Sequence, residues 1–136
     1  MTIVVDASLI IAWLLREERS AEAGSVAHLI VEEGAWVPQL FPLEIANVLV
    51  QAVWRKRIAA AYADEQLRRL EDISLSTDTE TSDHAWDETY RLAMDEGLTA
   101  YDATYLELAL RRDATLATLD TDLADAARRH GLTVIP

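Results

Sequence analysis

Residues 2–9 read TIVVDASL, and this stretch decides the fold. Its first four residues are all β-branched, which is typical of a short buried strand. Asp6 and Ser8 can both cap a helix, and the apolar residues that follow continue in a helical pattern. The stretch therefore predicts a strand that passes directly into a helix, with an acidic residue at the junction.

The same alternation of strand and helix continues along the chain. Further strands are predicted at residues 36–40, within 72–81, at 115–118 and at 132–135, and helices at residues 9–16, 20–33, 43–58, 63–71, 82–96, 102–112 and 121–130. This order predicts an α/β fold, a central parallel sheet of about four to five strands with helices on both faces. With 136 residues, the chain has the size of one compact domain, so we expect residues 1–136 to form a single domain.

Composition limits the class of protein. The chain has no cysteine, which excludes disulfides and thiolate metal sites and fits a reducing cytoplasm, where we expect the protein to be. The apolar run at residues 9–15 lacks a basic leader and is too short to span a bilayer, so we expect no signal peptide and no membrane partner. The formal net charge of −12 is unusual for a nucleic-acid binder, although bound divalent ions would offset part of it.

Acidic residues recur where a strand meets a helix or where a helix begins. They are Asp6 in IVVDASL, Glu44 in FPLEIAN, Asp102 in TAYDATYLELA and Asp120 in LATLDTDL. Ligands of open parallel sheets bind at the carboxyl ends of the strands, so Asp6 and Asp120 should reach the same edge. Each acid alone can also be explained as a helix cap or as a first-turn acid that favours the helix dipole. Their joint placement favours one common site.

Clustered carboxylates repel one another and take up protons unless a cation is bound. Hard divalent ions prefer oxygen ligands and promote phosphodiester hydrolysis by activating water. The histidines, His28, His84 and His130, are scattered over predicted helices and do not suggest a zinc site. The sequence therefore predicts a Mg²⁺ site, with Mn²⁺ as a substitute, in which the four acids are the metal ligands.

Polar residues accompany two of the acids. Asn47 and Gln51 follow Glu44 at helical spacing on an otherwise apolar helix, so this face either has polar partners or is in contact with water. Thr118 precedes Asp120 by two residues. Its hydroxyl either serves the same site or belongs to an ordinary strand threonine.

Motifs in a fixed order give the chain a family resemblance. They are DAS at residues 6–8 after the first strand, E-x-x-N at 44–47, YDATYLELA at 101–109 and T-x-D-x-x-L at 118–123. Together they resemble the PIN domain and, within it, the VapC-type ribonuclease toxins of type II toxin–antitoxin systems, over the whole length of the chain. The resemblance implies a metal-dependent endoribonuclease in which Asp6 and Asp102 are the principal Mg²⁺ ligands.

The resemblance also implies roles for other residues and for partners. Glu44 and Asp120 match further acids that complete the site or hold metal-bound water, and Ser8, Asn47 and Thr118 match polar positions that support it. It further implies an RNA substrate, a homodimer, and a cognate antitoxin whose tail wraps the toxin and obstructs its site.

The antitoxin needs a groove on the toxin. The predicted helices at residues 43–58 and 63–71 are the candidates for its walls. Trp13 and Trp54 are candidate anchors, because aromatic residues dominate interface hot spots, and their alternative role is core packing. An acidic surface would attract an antitoxin tail that carries Arg or Lys.

We expect hydrolysis of single-stranded or looped RNA. The acids would hold one or two ions that polarise the phosphate, while Glu44 orients or deprotonates the attacking water. Arg111 and Arg112 are candidates for positioning the RNA backbone. Asp122 either replaces or assists Asp120 or remains solvated.

Two other functions are compatible with parts of this sequence. A phosphatase or dehalogenase would use Asp6 as a covalent nucleophile, but such enzymes usually have DxD and a well-placed lysine, whereas this chain has DAS and only Lys56. A catalytically silent PIN-like scaffold or binding module is the alternative, although all four acids are present. The sequence leaves the RNA target open.

Overall fold

In the computed structural model, which describes residues 1–15 and 20–136, five strands form one parallel sheet. The strands are β1 (Ile3–Val5), β2 (Ala35–Val37), β3 (Leu75–Thr77), β4 (Thr115–Ala117) and β5 (Val134–Ile135). Their order across the sheet is β3-β2-β1-β4-β5, and every pairing is parallel. The prediction of a parallel α/β fold is confirmed.

Helices connect the strands. In chain order they are α1 (Ala7–Leu14), α2 (Ala21–Glu33), α3 (Phe41–Trp54), α4 (Ala60–Glu71), α5 (Thr81–His84), a π-helical segment (Ala85–Thr89), α6 (Tyr90–Glu96), α7 (Ala100–Arg111) and α8 (Thr121–Arg129). The predicted end of the first helix at residue 16 lies outside the described residues. Among the helices described, none has both the length and the apolar character that a membrane span requires.

The register of the central strands brings two strand ends together. Val5 of β1 pairs with Ala117 of β4, and the backbone N–H of Asp6 donates to the carbonyl of Ala117 at 2.9 Å. Thr118 therefore leaves the sheet beside Asp6. From β1 the sheet grows to β2 and β3 on one side and to β4 and β5 on the other, so this edge is the switch point where open α/β sheets bind ligands.

Both faces of the sheet are covered. Ile3, Val4 and Val5 are all buried, and successive side chains of a strand point to opposite faces. Such a doubly buried strand is what the β-branched stretch predicts. Residues 103–109 of α7 are also buried, and α7 packs against β1 and β4. The first turn of α7 is therefore held in a fixed position relative to the switch point.

Some element boundaries differ from the predicted ones. Helix α3 contains Pro42 in its first turn, as predicted, but it ends at Trp54 and does not continue to residue 58. Lys56 has a φ of 60°, a left-handed backbone conformation that a continuing helix cannot contain. Strand β2 ends at Val37 and does not continue to residue 40, because Pro38 has no N–H to donate to a neighbouring strand.

Candidate metal centre

Asp6 lies at the carboxyl end of β1, in the N-cap position of α1, yet its side chain does not cap the helix. Its Oδ2 instead accepts hydrogen bonds from the hydroxyl of Ser8 at 2.6 Å and from that of Thr118 at 2.8 Å. Asp6 is only 4% exposed. This burial raises the pKa of its carboxyl; the two hydroxyl bonds oppose the rise and the charge of Asp120 adds to it. The helix-capping explanation is therefore wrong for Asp6.

Ser8 and Thr118 also join the start of α1 to the connection that follows β4. The N–H of Leu119 donates to Ser8 Oγ at 3.0 Å, and the N–H of Asp120 donates to Thr118 Oγ1 at 3.0 Å. The first turn of α1 and the connection between β4 and α8 are thus fixed to each other through the hydroxyls that hold Asp6. Of the two interpretations of Thr118, the one in which its hydroxyl contributes to the acidic site is confirmed.

Asp120 has two roles in the structure. It is the N-cap of α8, where its Oδ1 accepts a hydrogen bond from the N–H of Leu123 at 3.0 Å, so the capping explanation holds here. Burial is the main cause that raises the pKa of Asp6 and of Asp102, and the charge of Asp120 raises both further. Asp122 is exposed in the first turn of α8, and its charge makes the smallest contribution to the raised pKa of Asp102.

Asp102 lies in the first turn of α7, where Thr99 is the cap and accepts the N–H of Asp102 at 3.1 Å. The Asp102 side chain is half-buried. Burial is the main cause that raises the pKa of its carboxyl, followed by the charges of Asp6 and Asp120. Asp102 is therefore a first-turn acid, as predicted, and it also belongs to the electrostatic cluster at the switch point.

Glu44 lies in the first turn of α3 and has a partner that the sequence did not reveal. Its Oε1 accepts a hydrogen bond from the hydroxyl of Tyr105 at 2.6 Å, and Tyr105 is fully buried. Burial raises the pKa of Glu44, the Tyr105 bond opposes the rise, and the charges of Asp6 and Asp102 add to it. Burial and this hydrogen bond also raise the pKa of Tyr105, so the phenol stays protonated as a donor.

Sequence reasoning missed Tyr105 because its partner is 61 residues away in the chain. The one available signal was its spacing, since Tyr105 follows Asp102 by three residues and so lies on the same side of the helix. Asn47, which was predicted to support the site, is exposed one turn after Glu44. Its position favours the interpretation in which this face of α3 is in contact with water.

The donor set suits a hard divalent cation. It consists of carboxylate and hydroxyl oxygens from four segments of the chain. Three of the carboxyl groups have raised pKa values, and a bound cation would lower these pKa values. Within residues 1–15 and 20–136, no group of three or more acidic or histidine side chains is arranged to hold an ion directly. Mg²⁺ keeps several waters in its coordination shell, and such waters can join the ion to carboxylates that do not bind it directly.

The two arginines predicted to position a phosphate backbone are engaged in other contacts. Arg111 binds both oxygens of Asp78, at 3.0 and 2.7 Å, and both oxygens of Glu107, at 2.8 and 3.0 Å. The guanidinium of Arg112 stacks on the ring of Trp36, 3.4 Å from its centroid. The expectation for these arginines is therefore corrected, because their side chains already serve internal contacts.

Comparison with known proteins gives matches along nearly the whole chain. The model of the family described as PIN domain matches residues 3–129. Ribonuclease VapC3 of Pyrobaculum aerophilum is 31% identical over 92% of this chain and 94% of its own length. Ribonuclease VapC9 of Mycobacterium tuberculosis is 31% identical over 98% of this chain and 98% of its own length.

Solved structures share the fold. PAE2754 from Pyrobaculum aerophilum has a TM-score of 0.72 at 24% identity, covering 98% of this chain and 90% of that chain. FitAcB from Neisseria gonorrhoeae has a TM-score of 0.67 at 18% identity, covering 99% of this chain and 97% of that chain. With a family model that spans residues 3–129 and relatives that match over almost their full length, the chain belongs to the PIN domain family.

Proposed function

We propose that the protein is a metal-dependent endoribonuclease and the toxin of a type II toxin–antitoxin pair. Its relatives of 31% identity are named ribonucleases. The observation that carries the proposal is the electrostatic coupling of Asp6, Glu44 and Asp102, whose pKa values are raised by burial and by neighbouring acids. Carboxyl groups with raised pKa values readily exchange their protons for a divalent ion, and such ions promote phosphodiester hydrolysis.

Asp6, Asp102 and Asp120 would hold Mg²⁺, or Mn²⁺ in its place, and Glu44 would complete the set. Such an ion, when bound, polarises the scissile phosphate and lowers the pKa of water. The two hydroxyls that hold Asp6 Oδ2 fix the orientation of that carboxylate before any ligand arrives. A pre-oriented carboxylate needs no rearrangement during the reaction, which favours catalysis.

Glu44 is the acid that we assign to the attacking water. The Tyr105 hydroxyl occupies its Oε1, so Oε2 is the atom that would orient the water and accept its proton.

Purified protein incubated with total cellular RNA in Mn²⁺, in Mg²⁺ or in EDTA tests the proposed activity. We expect discrete fragments that form only with a divalent ion. Cleavage that is equal in EDTA would contradict the proposal. An absence of cleavage in either ion, while Mn²⁺ still binds, would favour a catalytically silent scaffold.

Replacing Tyr105 with phenylalanine is expected to lower the cleavage rate by about 10- to 100-fold, the usual effect of removing a group that supports a metal ligand. The ring would keep its packing while Glu44 loses the bond that positions it. Tyr62→Phe is the matched control, because it removes a hydroxyl that donates to the carbonyl of Leu14 at 2.8 Å. Initial rates that fall equally in both variants would contradict a role for Tyr105 in positioning Glu44.

We also propose that the cognate antitoxin binds in the groove between α3 and α4. Two apolar cavities of about 250 and 380 Å³ lie there, and Leu67 lines both. Trp54 lines one of them and is 77% exposed, so it suits the role of anchor. Trp13 is half-buried beneath the guanidinium of Arg69, 4.3 Å from the ring centroid, which favours the packing interpretation for this residue.

Replacing Trp54 with alanine is expected to weaken antitoxin binding by about tenfold or more, the effect of losing an aromatic hot spot. Trp86→Ala is the control, because Trp86 is 96% exposed and lies on the π-helical segment, away from the groove. Titration calorimetry with the purified antitoxin measures both affinities, and equal losses would exclude the groove. We also propose that the protein forms a homodimer, which the family resemblance implies. Sedimentation of the protein alone tests this, and a monomer at micromolar concentration would contradict it.

A further inference from the structure

A cleft of about 460 Å³ lies between the helical segment at residues 81–96 and helix α7. One wall consists of residues spaced four apart along that segment, and the other of residues in the last turns of α7. In that order they are His84, Glu88 and Leu92, then Glu107, Leu110 and Arg111. None of the described side chains that line the cleft belongs to the acidic centre. Its volume is in the range of clefts that bind small ligands.

Arg111 lines this cleft but has no N–H left for a ligand. A guanidinium has five N–H donors. In Arg111, Nε donates to Glu107 at 2.8 Å, and Nη2 donates to Asp78 at 2.7 Å and to Glu107 at 3.0 Å. The remaining nitrogen, Nη1, donates to Asp78 at 3.0 Å and to Glu80 at 3.4 Å. The cleft therefore offers no guanidinium donor to an anionic ligand.

The two imidazoles at the cleft also face carboxylates. His84 Nδ1 lies 3.6 Å from Glu107 Oε1, and His130, which lines the cleft at the end of α8, has its Nε2 2.9 Å from Glu96 Oε1. These contacts join the segment at residues 81–96 to α7 and α8. They hold both walls in place before a ligand binds, which lowers the entropic cost of binding.

Hydrogen-bond acceptors, in contrast, remain available in the cleft. Within residues 1–15 and 20–136, the exposed carboxylate of Glu88 has no hydrogen bond and no ion pair. Each oxygen of Glu107 accepts one bond from Arg111, and a carboxylate oxygen can accept a second. One guanidinium thus faces the buried carboxylates of Asp78 and Glu107, and Glu88 adds a further negative charge. A cleft with spare acceptors and excess negative charge suits a cationic donor.

We propose that this cleft binds a small organic cation, an ammonium or guanidinium group on a short apolar chain. Glu88 is the carboxylate that holds the charge, and Leu92 and Leu110 form the wall that contacts the chain. Glu88 lies in the π-helical segment, and such segments are rare and occur frequently at functional sites. The site is separate from the acidic centre, so the inference does not depend on the proposed ribonuclease function.

Titration calorimetry with butylguanidinium tests the site, and butylurea is its uncharged counterpart of the same shape. In about 0.15 M NaCl, where the attraction of a general surface charge is largely screened, we expect one butylguanidinium per chain with a Kd below about 1 mM. Butylurea should bind about tenfold more weakly or less, because it lacks the charge that strengthens a hydrogen bond to a carboxylate. Equal affinity for butylurea, or no binding of butylguanidinium, would overturn the proposal.

Replacing Glu88 with glutamine is expected to weaken butylguanidinium binding by about tenfold, for the same reason. The exposed position of Glu88 makes a loss of folding no explanation for the effect. Glu32→Gln is the matched control, because it changes the net charge equally at an exposed position on α2. Equal losses of affinity in the two variants would show a general attraction to the acidic surface and would overturn the proposal.

Methyl NMR spectra of the wild-type protein locate the ligand. Saturating butylguanidinium should shift the methyl signals of Leu92 and Leu110 and leave those of Leu67, in the groove between α3 and α4, unchanged. Shifts confined to Leu67 would overturn the proposal, because they would place the cation in that groove.

Discussion

Replacing Asp6 with asparagine is expected to reduce RNA cleavage by more than about a hundredfold while the fold remains intact. Asparagine has nearly the same size, but it lacks the charge with which a carboxylate holds a divalent ion. Removing a group that merely supports a metal ligand costs about 10- to 100-fold, so removing a principal ligand should cost more. Initial rates at saturating Mn²⁺ measure the effect.

The same variant is expected to be more stable than the wild type at pH 7 when no divalent ion is present. Burial raises the folded-state pKa of Asp6 above its ordinary value of 3.8, so the native state binds a proton more readily than the unfolded state. Wild-type stability therefore falls as the pH rises from that value through the folded-state pKa. Asparagine removes this loss, and the gain should shrink as the pH is lowered toward about 4. Urea unfolding in EDTA at both pH values measures it.

Asp95→Asn is the matched control, because Asp95 is an exposed acid on α6. It should leave both the cleavage rate and the pH dependence of stability unchanged. If Asp6→Asn retained more than about half of the wild-type rate, the assignment of Asp6 as a principal ligand would be wrong. Equal losses of cleavage rate in Asp6→Asn and Asp95→Asn would point to a general effect of charge.

Replacing Arg111 with alanine is expected to destabilise the protein by about 3 kcal/mol, the usual cost of breaking a buried ion pair by removing one partner. Asp78 is 1% exposed, and its two oxygens both accept hydrogen bonds from Arg111. Glu107 is buried as well and is bound by the same guanidinium. The variant therefore leaves two carboxylates without their cation, and urea unfolding at pH 7 measures the loss.

The stability that the Arg111–Asp78 pair contributes depends on pH with the opposite sign to that of Asp6. Hydrogen bonds from Arg111 lower the pKa of Asp78, so this pair contributes stability above the ordinary pKa of 3.8 and loses it as the pH falls through the folded-state value. Arg128→Ala is the control, because Arg128 pairs with Asp125 at 3.4 Å with both side chains more than half exposed. Such a pair contributes less than about 1 kcal/mol. Equal destabilisation in the two variants would contradict the buried network.

The alternation of strands and helices along the chain, and hence the parallel sheet, could be predicted because their signals are local. β-branched residues at positions 2–5 mark a strand buried on both faces, and helical periodicity separates it from the next strand. The helix ends were harder to place, since Lys56 ends α3 in a left-handed conformation that its residue type does not favour. Gly97, in contrast, has the left-handed conformation that its residue type does favour, and the end of α6 was predicted correctly.

The position of the acidic centre could also be predicted, because acids at the ends of neighbouring parallel strands must meet at one edge. Which of these acids caps its helix could not be predicted. Asp120 caps α8. The Asp6 carboxylate does not cap α1 and instead accepts a hydrogen bond from Thr118, which is 112 residues distant in the chain. The bond of Glu44 to Tyr105 and that of Arg111 to Asp78 are likewise set by tertiary packing, because the partners are 61 and 33 residues apart in the chain. Local sequence carries no signal for such pairs.

A titration of the wild-type protein with Mn²⁺, followed together by the electron paramagnetic resonance of the free ion and by the rate of RNA cleavage, tests the central claim most directly. We predict that cleavage rises over the same range of Mn²⁺ in which the ion binds, and that Asp102→Asn loses both binding and cleavage. Full cleavage by Asp102→Asn, or cleavage by the wild type before any ion is bound, would contradict the account.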